Sequence, residues 1–166
     1  MGNRILNVFG AALVTLCCFN FETNAATVEE RVKEARLMTV DELFRTYENR
    51  TWFWKHGAAY FAAKQLTFIA WTNEKRKTIA TGTWFPTSRG KMCFRAVWES
   101  KERKTKDLTC FTHRIDDTAT YQRREPDGQW YLFNSFNPRV KDPYSKFVPG
   151  NYVKKKYERF QSDIRR

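Results

Sequence analysis

Cys93 and Cys110 are the residues with the clearest chemistry in the sequence. Each lies in a stretch where apolar and polar side chains alternate, as in a half-buried strand. In an exported chain these two cysteines are expected to form a disulfide, which would close a loop of about 17 residues and stabilise the fold by about 3 kcal/mol. Two free buried thiols are the alternative. Zinc would need four ligands, and only His113 lies nearby, so we expect no metal site.

The sequence contains no convincing catalytic grouping. Cys110 and His113 could act as nucleophile and base only if Cys110 were free, which the expected disulfide excludes. His56 lies in a predicted turn, and no serine lies in a glycine-flanked elbow beside either histidine. Acidic residues occur mostly at predicted turns, where they commonly form local hydrogen bonds; they are Glu99, Glu102, Asp107, Asp116, Asp117, Glu125 and Asp127. We therefore expect no enzyme activity and no cofactor.

Aromatic and basic residues are better candidates for a binding site. The six tryptophans are spread over the predicted strands. Trp52 and Trp54 share one face of a strand, whereas Trp84 and Trp98 are expected in the core. Aromatic faces can stack on sugar rings or line a lipid pocket, although packing is their commonest role, and basic clusters are most often solvated faces. The candidate ligand-binding residues are Trp52, Trp54, Arg123, Arg124, Lys154, Lys155 and Lys156.

The net charge of +12 restricts the class of partner more than it restricts the fold. Such an excess favours an anionic polymer, an anionic lipid surface or simple solubility. We predict a non-catalytic envelope protein that binds an anionic glycan or lipid through a basic, aromatic-rich surface. A periplasmic protein-interaction module, such as an inhibitor or an assembly partner, is the alternative. Nucleic acid is not expected, because no recognition motif is present and the chain is predicted to be exported.

Residues 1–25 have the composition of a secretory signal peptide. A positive residue precedes a nearly uninterrupted apolar run over Ile5–Phe19, and cleavage is predicted after Ala25. The run is short for a membrane-spanning helix, and no later segment is apolar enough to be one. A lipoprotein signal at Cys17 or Cys18 is disfavoured by the bulky leucine before the pair. We therefore predict an exported protein, periplasmic or secreted, with no transmembrane segment in the mature chain.

A short helix is predicted where the mature chain becomes less charged. Residues 26–38 are rich in Glu, Lys and Arg and are interpreted as a linker or a loosely held helix. Thr39 and Glu42 then have the spacing of a capping box, and apolar residues occupy the two positions of a hydrophobic staple. The helix should run to about Tyr47 and pack against the sheet through one apolar side.

From residue 51 the apolar period changes to two, which predicts a run of about eight strands. They are Thr51–Lys55, Ala58–Ala63, Leu66–Thr72, Ile79–Phe85, Lys91–Ser100, Lys106–Arg114, Ala119–Arg124 and Gln129–Phe133. Their short connections favour an antiparallel up-and-down meander, because parallel strands need long crossovers. Such a meander is expected to form a small closed barrel or a strongly curled sheet. The single β-rich domain should cover residues 39–152, with residues 134–151 as an irregular surface segment.

The two strands that carry the cysteines are expected to form one hairpin. If Cys93 lies directly opposite Cys110, then Trp98 lies opposite Thr105 in an antiparallel pair. That register leaves a tight turn at residues 101–102.

Residues 153–166 form a basic C-terminal segment in which Lys and Arg outnumber Asp and Glu. We interpret this segment as lying outside the meander, where it supplies charge without being needed for folding. Its removal should then leave the thermal transition nearly intact. The alternative is that Tyr157, Phe160 and Ile164, which share one side of a helix, dock the segment onto the barrel and close one end.

Three stretches of the chain carry a resemblance to a known family: GTWFPTSRGKMCFRAVWESK, LTCFTHR and YQRREPDGQWYLF. They resemble a family of small secreted alphaproteobacterial proteins classed as a domain of unknown function, over about Met38–Tyr152. The resemblance implies bacterial export and one compact β-rich domain. It implies no catalytic residue.

Overall fold

The computed structural model describes residues 26–166. The predicted signal peptide at residues 1–25 therefore lies outside the described residues. Within the described part of the chain, no helix combines the length and the hydrophobicity that a membrane crossing requires.

Ten strands of the described chain form one antiparallel sheet. They are β1 (Arg36–Leu37), β2 (Arg50–Trp54), β3 (Gly57–Phe61), β4 (Thr67–Thr72), β5 (Thr78–Pro86), β6 (Lys91–Ser100), β7 (Lys104–Ile115), β8 (Ala119–Arg124), β9 (Tyr131–Ser135) and β10 (Phe147–Pro149). Strands β2 to β9 are paired in chain order, β10 pairs with the free edge of β2, and β1 pairs with the end of β7. The predicted meander is confirmed, and every predicted strand is present with its ends shifted by about two residues or fewer.

The sheet curls strongly but does not close. Its edge strands β9 and β10 are not hydrogen-bonded to each other, so the sheet is a half-barrel and the closed barrel is not formed. Instead, the rings of Phe133 and Phe147 meet edge to face between these strands, with centroids 5.4 Å apart. Gly82 on β5 permits the close approach of β6, because a Cβ atom there would lie 1.9 Å from the carbonyl oxygen of Arg95.

A disulfide links β6 and β7, as predicted. Cys93 lies directly opposite Cys110, and their Cα atoms are 4.1 Å apart. Trp98 lies opposite Thr105, and residues 101–103 form the turn, so the predicted hairpin register is confirmed. Both cysteines lie on the convex face of the sheet, because the residues next to them on each strand belong to the core on the concave face.

The segment predicted to be a linker or a loosely held helix contains a capped helix, α1 (Val28–Glu34). Thr27 and Glu30 form a reciprocal capping box, which satisfies two amide groups at the start of the helix. Val32 is buried with Tyr121 of β8 on the convex face of the sheet. Arg114 of β7 also donates hydrogen bonds to the carbonyl oxygens of Val32 and Ala35, at 3.0 and 2.7 Å. Val32 is the one buried residue of this helix, so the sequence shows little apolar periodicity here.

The second helix, α2 (Val40–Tyr47), begins and ends where the sequence predicts. The Thr39 hydroxyl accepts a hydrogen bond from the Glu42 amide at 3.3 Å, and the Glu42 carboxylate accepts one from the Thr39 amide at 2.8 Å. The capping box is therefore confirmed. Hydrogen bonds from Arg36 and from the cap lower the pKa of Glu42 to about 2. The apolar side of α2 is buried against the concave face, where it fills one end of the half-barrel.

Residues 134–151 are more regular than predicted. A short 3-10 helix (Pro143–Lys146) leads into β10, which pairs with β2 so that Phe147 lies opposite Trp52. The two rings stack with centroids 5.5 Å apart, and Phe147 is buried. The prediction of an irregular surface segment is wrong for this part, because a strand of 3 residues is too short to show a period of two.

The basic C-terminal segment forms α3 (Lys154–Arg165), which packs on the convex face of the sheet. The Phe160 side chain is buried and meets Trp71 of β4 edge to face, with ring centroids 5.8 Å apart. The hydroxyls of Tyr157 and Thr81 on β5 are hydrogen-bonded at 2.6 Å. The prediction that this segment lies apart from the meander is therefore wrong. Its aromatic side docks, as in the alternative, but it covers a face of the sheet and closes no end of a barrel.

Candidate functional site

A cavity of about 760 Å³ opens at the end of the half-barrel opposite α2. This volume lies in the usual range of sites for small molecules. Five aromatic side chains line it; they are Trp52, Trp54, Phe94, Trp98 and Phe111. Strands β2, β6 and β7 supply them, so these walls belong to the sheet and not to loops.

A row of small side chains crosses the concave face between two tryptophans. Trp52 on β2 is aligned across the sheet with Ala59, Ala70 and Ala80 on the next three strands. The row then reaches Trp98 on β6. The three alanines are buried and belong to the core cluster against which Trp52 and Trp98 pack. The register of the meander therefore places both tryptophans on the concave face, where they line the cavity.

The position of Trp52 is fixed by its aromatic neighbours. Its ring stacks on Phe147 with centroids 5.5 Å apart, meets Phe111 edge to face at 5.8 Å, and lies 5.4 Å from Trp54. Such ring pairs contribute about 0.5–1.5 kcal/mol each beyond the burial of area. Trp52 and Trp54 are only half-buried, so the wall that they form is both ordered and accessible.

Charged side chains from the loops and strand ends surround the mouth of the cavity. The cations are Lys75, Arg76, Arg103 and Arg124, and the acids are Glu74 and Asp107. Arg76 pairs with Glu102. Within residues 26–166, neither Arg103 nor Arg124 forms an ion pair with a carboxylate. The mouth therefore offers positive charge that the described chain does not neutralise.

Hydroxyl groups lie between the aromatic walls and the charged mouth. Thr72, Thr78 and Ser100 are aligned on the adjacent strands β4, β5 and β6. On β7, the Thr109 hydroxyl donates a hydrogen bond of 2.7 Å to Oδ2 of Asp107. The cavity thus combines aromatic faces, hydroxyls, carboxylates and guanidinium groups within one concave surface.

The structure brings together only part of the predicted binding set. Trp52, Trp54 and Arg124 line the cavity. Arg123, the preceding residue on β8, points to the opposite face, where its guanidinium lies 5.0 Å from the ring centroid of Trp130. Adjacent residues of a strand point to opposite faces, so Arg123 and Arg124 cannot serve the same site.

The three predicted lysines lie on α3, on the convex face and away from the cavity. The ammonium group of Lys156 lies 4.1 Å from the ring centroid of Trp71, and that of Lys154 lies 4.0 Å from the carboxylate of Glu158. Lys155 is exposed. These lysines therefore do not share a site with the cavity tryptophans.

The sequence prediction omits Phe94, Trp98 and Phe111, which complete the aromatic walls, and Arg103 at the mouth. The alternation along β6 does place Phe94 and Trp98 on one face of the strand. The same alternation is typical of core residues, so it does not identify these two side chains as the wall of a cavity. Trp84 is fully buried as predicted, whereas Trp98 is only half-buried, contrary to its predicted place in the core.

Residues 15–153 match the model of a family described as protein of unknown function DUF995. The chain belongs to this family. The predicted membership of a family classed as a domain of unknown function is thereby confirmed. No curated protein and no solved structure matches the chain.

The DUF995 match contains the whole cavity. All of the lining residues fall between Trp52 and Arg124, inside the matched residues 15–153. Helix α3 begins at Lys154, directly after the match ends. The cavity is therefore part of the region by which the chain belongs to DUF995, whereas α3 is not.

Cys110 and His113 do not form a nucleophile and base in this DUF995 protein. Cys110 is in the disulfide on the convex face, whereas His113 is buried on the concave side. The Nε2 atom of His113 lies 2.8 Å from the hydroxyl of Tyr47 and 2.6 Å from the amide nitrogen of Gln122. Burial lowers the pKa of His113 to about 3. In the described part of the chain, no three His, Cys, Asp or Glu side chains are grouped to hold a metal ion.

Acidification is expected to destabilise the protein through His113. The unfolded chain binds a proton at an ordinary histidine pKa of 6.5, whereas the folded chain binds it only near pH 3. Between these values the unfolded state holds more protons, so lowering the pH favours unfolding. The free energy of unfolding should fall by about 2 kcal/mol between pH 7 and pH 5. Urea unfolding curves recorded across this range would measure the decrease.

His56 provides the control for this prediction, because it is exposed in a turn. The variant His113→Gln should flatten the pH dependence above pH 5, and His56→Gln should leave it unchanged. Equal slopes for the wild type and His113→Gln would contradict the prediction. If His113→Gln does not fold, an NMR titration of the imidazole in the wild type gives the answer, since its signals should not titrate near pH 6.5.

Proposed function

We propose that this DUF995 protein is a non-catalytic binding protein that takes an anionic glycan or lipid in its cavity. The proposal rests on one observation: an ordered aromatic wall adjoins a mouth whose arginines form no ion pair within residues 26–166. Aromatic faces bind the apolar parts of a ligand, and guanidinium groups bind its carboxylate or phosphate groups. The cavity supplies both kinds of contact.

Positive charge outside the cavity has a supporting role in this proposal. The net charge of +12 attracts polyanions over a distance, and the exposed lysines of α3 contribute to it. Binding should therefore weaken with salt, because the Debye length falls from about 10 Å at 0.1 M to about 3 Å at 1 M. The proposed binding site is therefore the cavity, whereas the sequence analysis placed it on a basic, aromatic-rich surface.

Export to the periplasm or beyond is part of the proposal. The disulfide between Cys93 and Cys110 is typical of an oxidising compartment, and residues 1–25 have the composition of a signal peptide. A cell envelope contains both acidic glycans and anionic lipids. The proposed compartment therefore offers the proposed ligands.

Arg124 and Arg123 provide a matched pair of variants for testing the site. An array of acidic glycans and an overlay of anionic lipids would first identify a ligand, and tryptophan fluorescence would then measure its affinity. Arg124→Gln should weaken binding about tenfold or more, because a hydrogen bond to a charged group contributes about 1.5–3 kcal/mol. Arg123→Gln removes the same charge from the opposite face and should change the affinity by about twofold or less.

Two outcomes would decide against this function. One is a wild-type protein that binds no acidic glycan and no anionic lipid. The other is an equal loss of affinity in Arg124→Gln and Arg123→Gln, which would assign the effect to net charge and not to the cavity.

A further inference from the structure

We infer that the anionic ligand of the cavity is a carbohydrate and that Asp107 accepts hydrogen bonds from its hydroxyl groups. This inference rests on the proposed function and narrows it to one ligand class. The sugar ring would lie against the tryptophan wall, and its carboxylate, phosphate or sulfate group would lie at Arg103 or Arg124. Three features of the cavity carry the inference.

The first feature is the position of Asp107. It lines the cavity from β7, and its Oδ2 atom accepts the hydrogen bond from Thr109 at 2.7 Å. Its Oδ1 atom accepts no hydrogen bond from the described residues, and no Lys or Arg of residues 26–166 pairs with this carboxylate. A free carboxylate oxygen accepts hydrogen bonds from the hydroxyl groups of a polyol, whereas an acyl chain has no hydrogen to donate to it. Asp107 therefore favours a ligand that carries hydroxyls as well as negative charge.

The second feature is the row of hydroxyl side chains beside the aromatic walls. Thr72 donates to the backbone oxygen of His56 at 3.2 Å, and Thr78 donates to that of Arg76 at 3.3 Å. Their donated hydrogens are used locally, but the lone pairs of the oxygens remain able to accept hydrogen bonds. Thr105 on β7, which lies opposite Trp98 and also lines the cavity, is exposed. Such acceptors match the hydroxyl donors of a sugar and offer nothing to an acyl chain.

The third feature is the depth of the cavity. Behind its aromatic walls the half-barrel is filled, because Phe61, Phe68 and Trp84 are almost completely buried. The rings of Phe68 and Phe94 stack with centroids 4.5 Å apart, which leaves no gap between the cavity and the core at this point. A long acyl chain needs a deep apolar channel, whereas a flat sugar ring needs only a shallow aromatic surface. The shallow shape of the cavity therefore favours a sugar over a lipid, as do the carboxylate and hydroxyl groups of its lining.

The test compares three kinds of probe on the disulfide-bonded protein. The first is a set of tetrasaccharides that carry carboxylate, phosphate or sulfate groups, for example tetragalacturonate. The second is neutral cellotetraose, and the third is monomeric lysophosphatidic acid, whose phosphate headgroup carries no polyol, below its critical micelle concentration. Tryptophan fluorescence and calorimetry would give the affinities. We expect at least one acidic tetrasaccharide to bind at least tenfold more tightly than cellotetraose and than the lysolipid.

The variant Asp107→Asn separates the two ligand classes by the sign of its effect. For the acidic sugar, loss of the carboxylate as an acceptor of hydroxyl hydrogen bonds should outweigh the relief of charge repulsion, and binding should weaken about fivefold or more. For an anionic lipid, loss of a negative charge at the mouth should strengthen binding. Asp117→Asn is the matched control, because Asp117 is an exposed acid of the turn between β7 and β8, outside the cavity, and it should change neither affinity.

Each result decides a different question. Binding of the lysolipid without binding of any acidic sugar would overturn the inference and leave the proposed function in place. Binding of no probe would overturn both. Binding of an acidic sugar with equal affinity in the wild type and Asp107→Asn would overturn the role assigned to Asp107.

Discussion

The variant Phe160→Ala is expected to have a free energy of unfolding about 3–5 kcal/mol below that of the wild type. The Phe160 side chain is only 3% exposed although it belongs to a strongly charged helix. It lies edge to face on Trp71 at 5.8 Å, and the ammonium group of Lys77 lies 5.7 Å from its ring centroid. Alanine would leave a cavity between α3 and the sheet. Urea unfolding followed by far-UV circular dichroism would measure the loss.

Arg159 provides the control for this prediction, because it is exposed one position earlier on α3. Arg159→Ala removes a long side chain from the same helix and should change the free energy of unfolding by about 0.5 kcal/mol or less. Truncation after Val153 should cost at least as much as Phe160→Ala, because it also uncovers Trp71. A truncated chain that melts together with the full-length protein would show that α3 is dispensable for folding.

The docking of α3 illustrates what a local pattern can and cannot predict. The spacing of Tyr157, Phe160 and Ile164 defines one side of a helix, and that much is visible in the sequence. The surface that receives this side is formed by Trp71 and Thr81 on the convex face of distant strands. The sequence does not show which face of those strands is the convex one. It therefore cannot distinguish a C-terminal segment that is free from one that packs on the sheet.

Strand length separates the predicted strands from the missed ones. Strands β2 to β9 each have at least five residues, and short turns connect them in order. Strands β1 and β10 have two and three residues, too few to show a period. Their pairing is also remote in sequence, since Arg36 lies opposite Ile115 and Phe147 opposite Trp52.

The cavity could be predicted only in part, because it depends on the register of several hairpins at once. The period of two places Trp52 and Trp54 on one face of β2. Their position relative to Trp98 depends on the alignment of Ala70 and Ala80 on two further strands. A slip of one residue at any hairpin would turn those alanines to the other face. The disulfide hairpin is the one register that the sequence predicts directly.

Reduction of the disulfide between Cys93 and Cys110 is expected to lower the free energy of unfolding by about 3 kcal/mol. The bond joins residues 17 positions apart, and a loop of this size gives about that value in the chain-entropy model. It also holds the longest hairpin of the sheet, whose strands β6 and β7 carry Trp98 and Phe111 into the cavity. Loosening this hairpin should therefore affect both stability and ligand affinity. Urea unfolding with and without a reductant would measure the first effect.

The double variant Cys93→Ala/Cys110→Ala separates loss of the bond from side effects of the reductant. It should unfold at the same urea concentration with and without reductant, close to the midpoint of the reduced wild type. Mass spectrometry of an unreduced digest should find the peptide that contains Cys93 joined to the peptide that contains Cys110. If native, freshly isolated protein instead offers both thiols to an alkylating reagent, the cross-strand bond is absent. That result would contradict the predicted loss of stability on reduction and would remove the disulfide as support for an oxidising compartment.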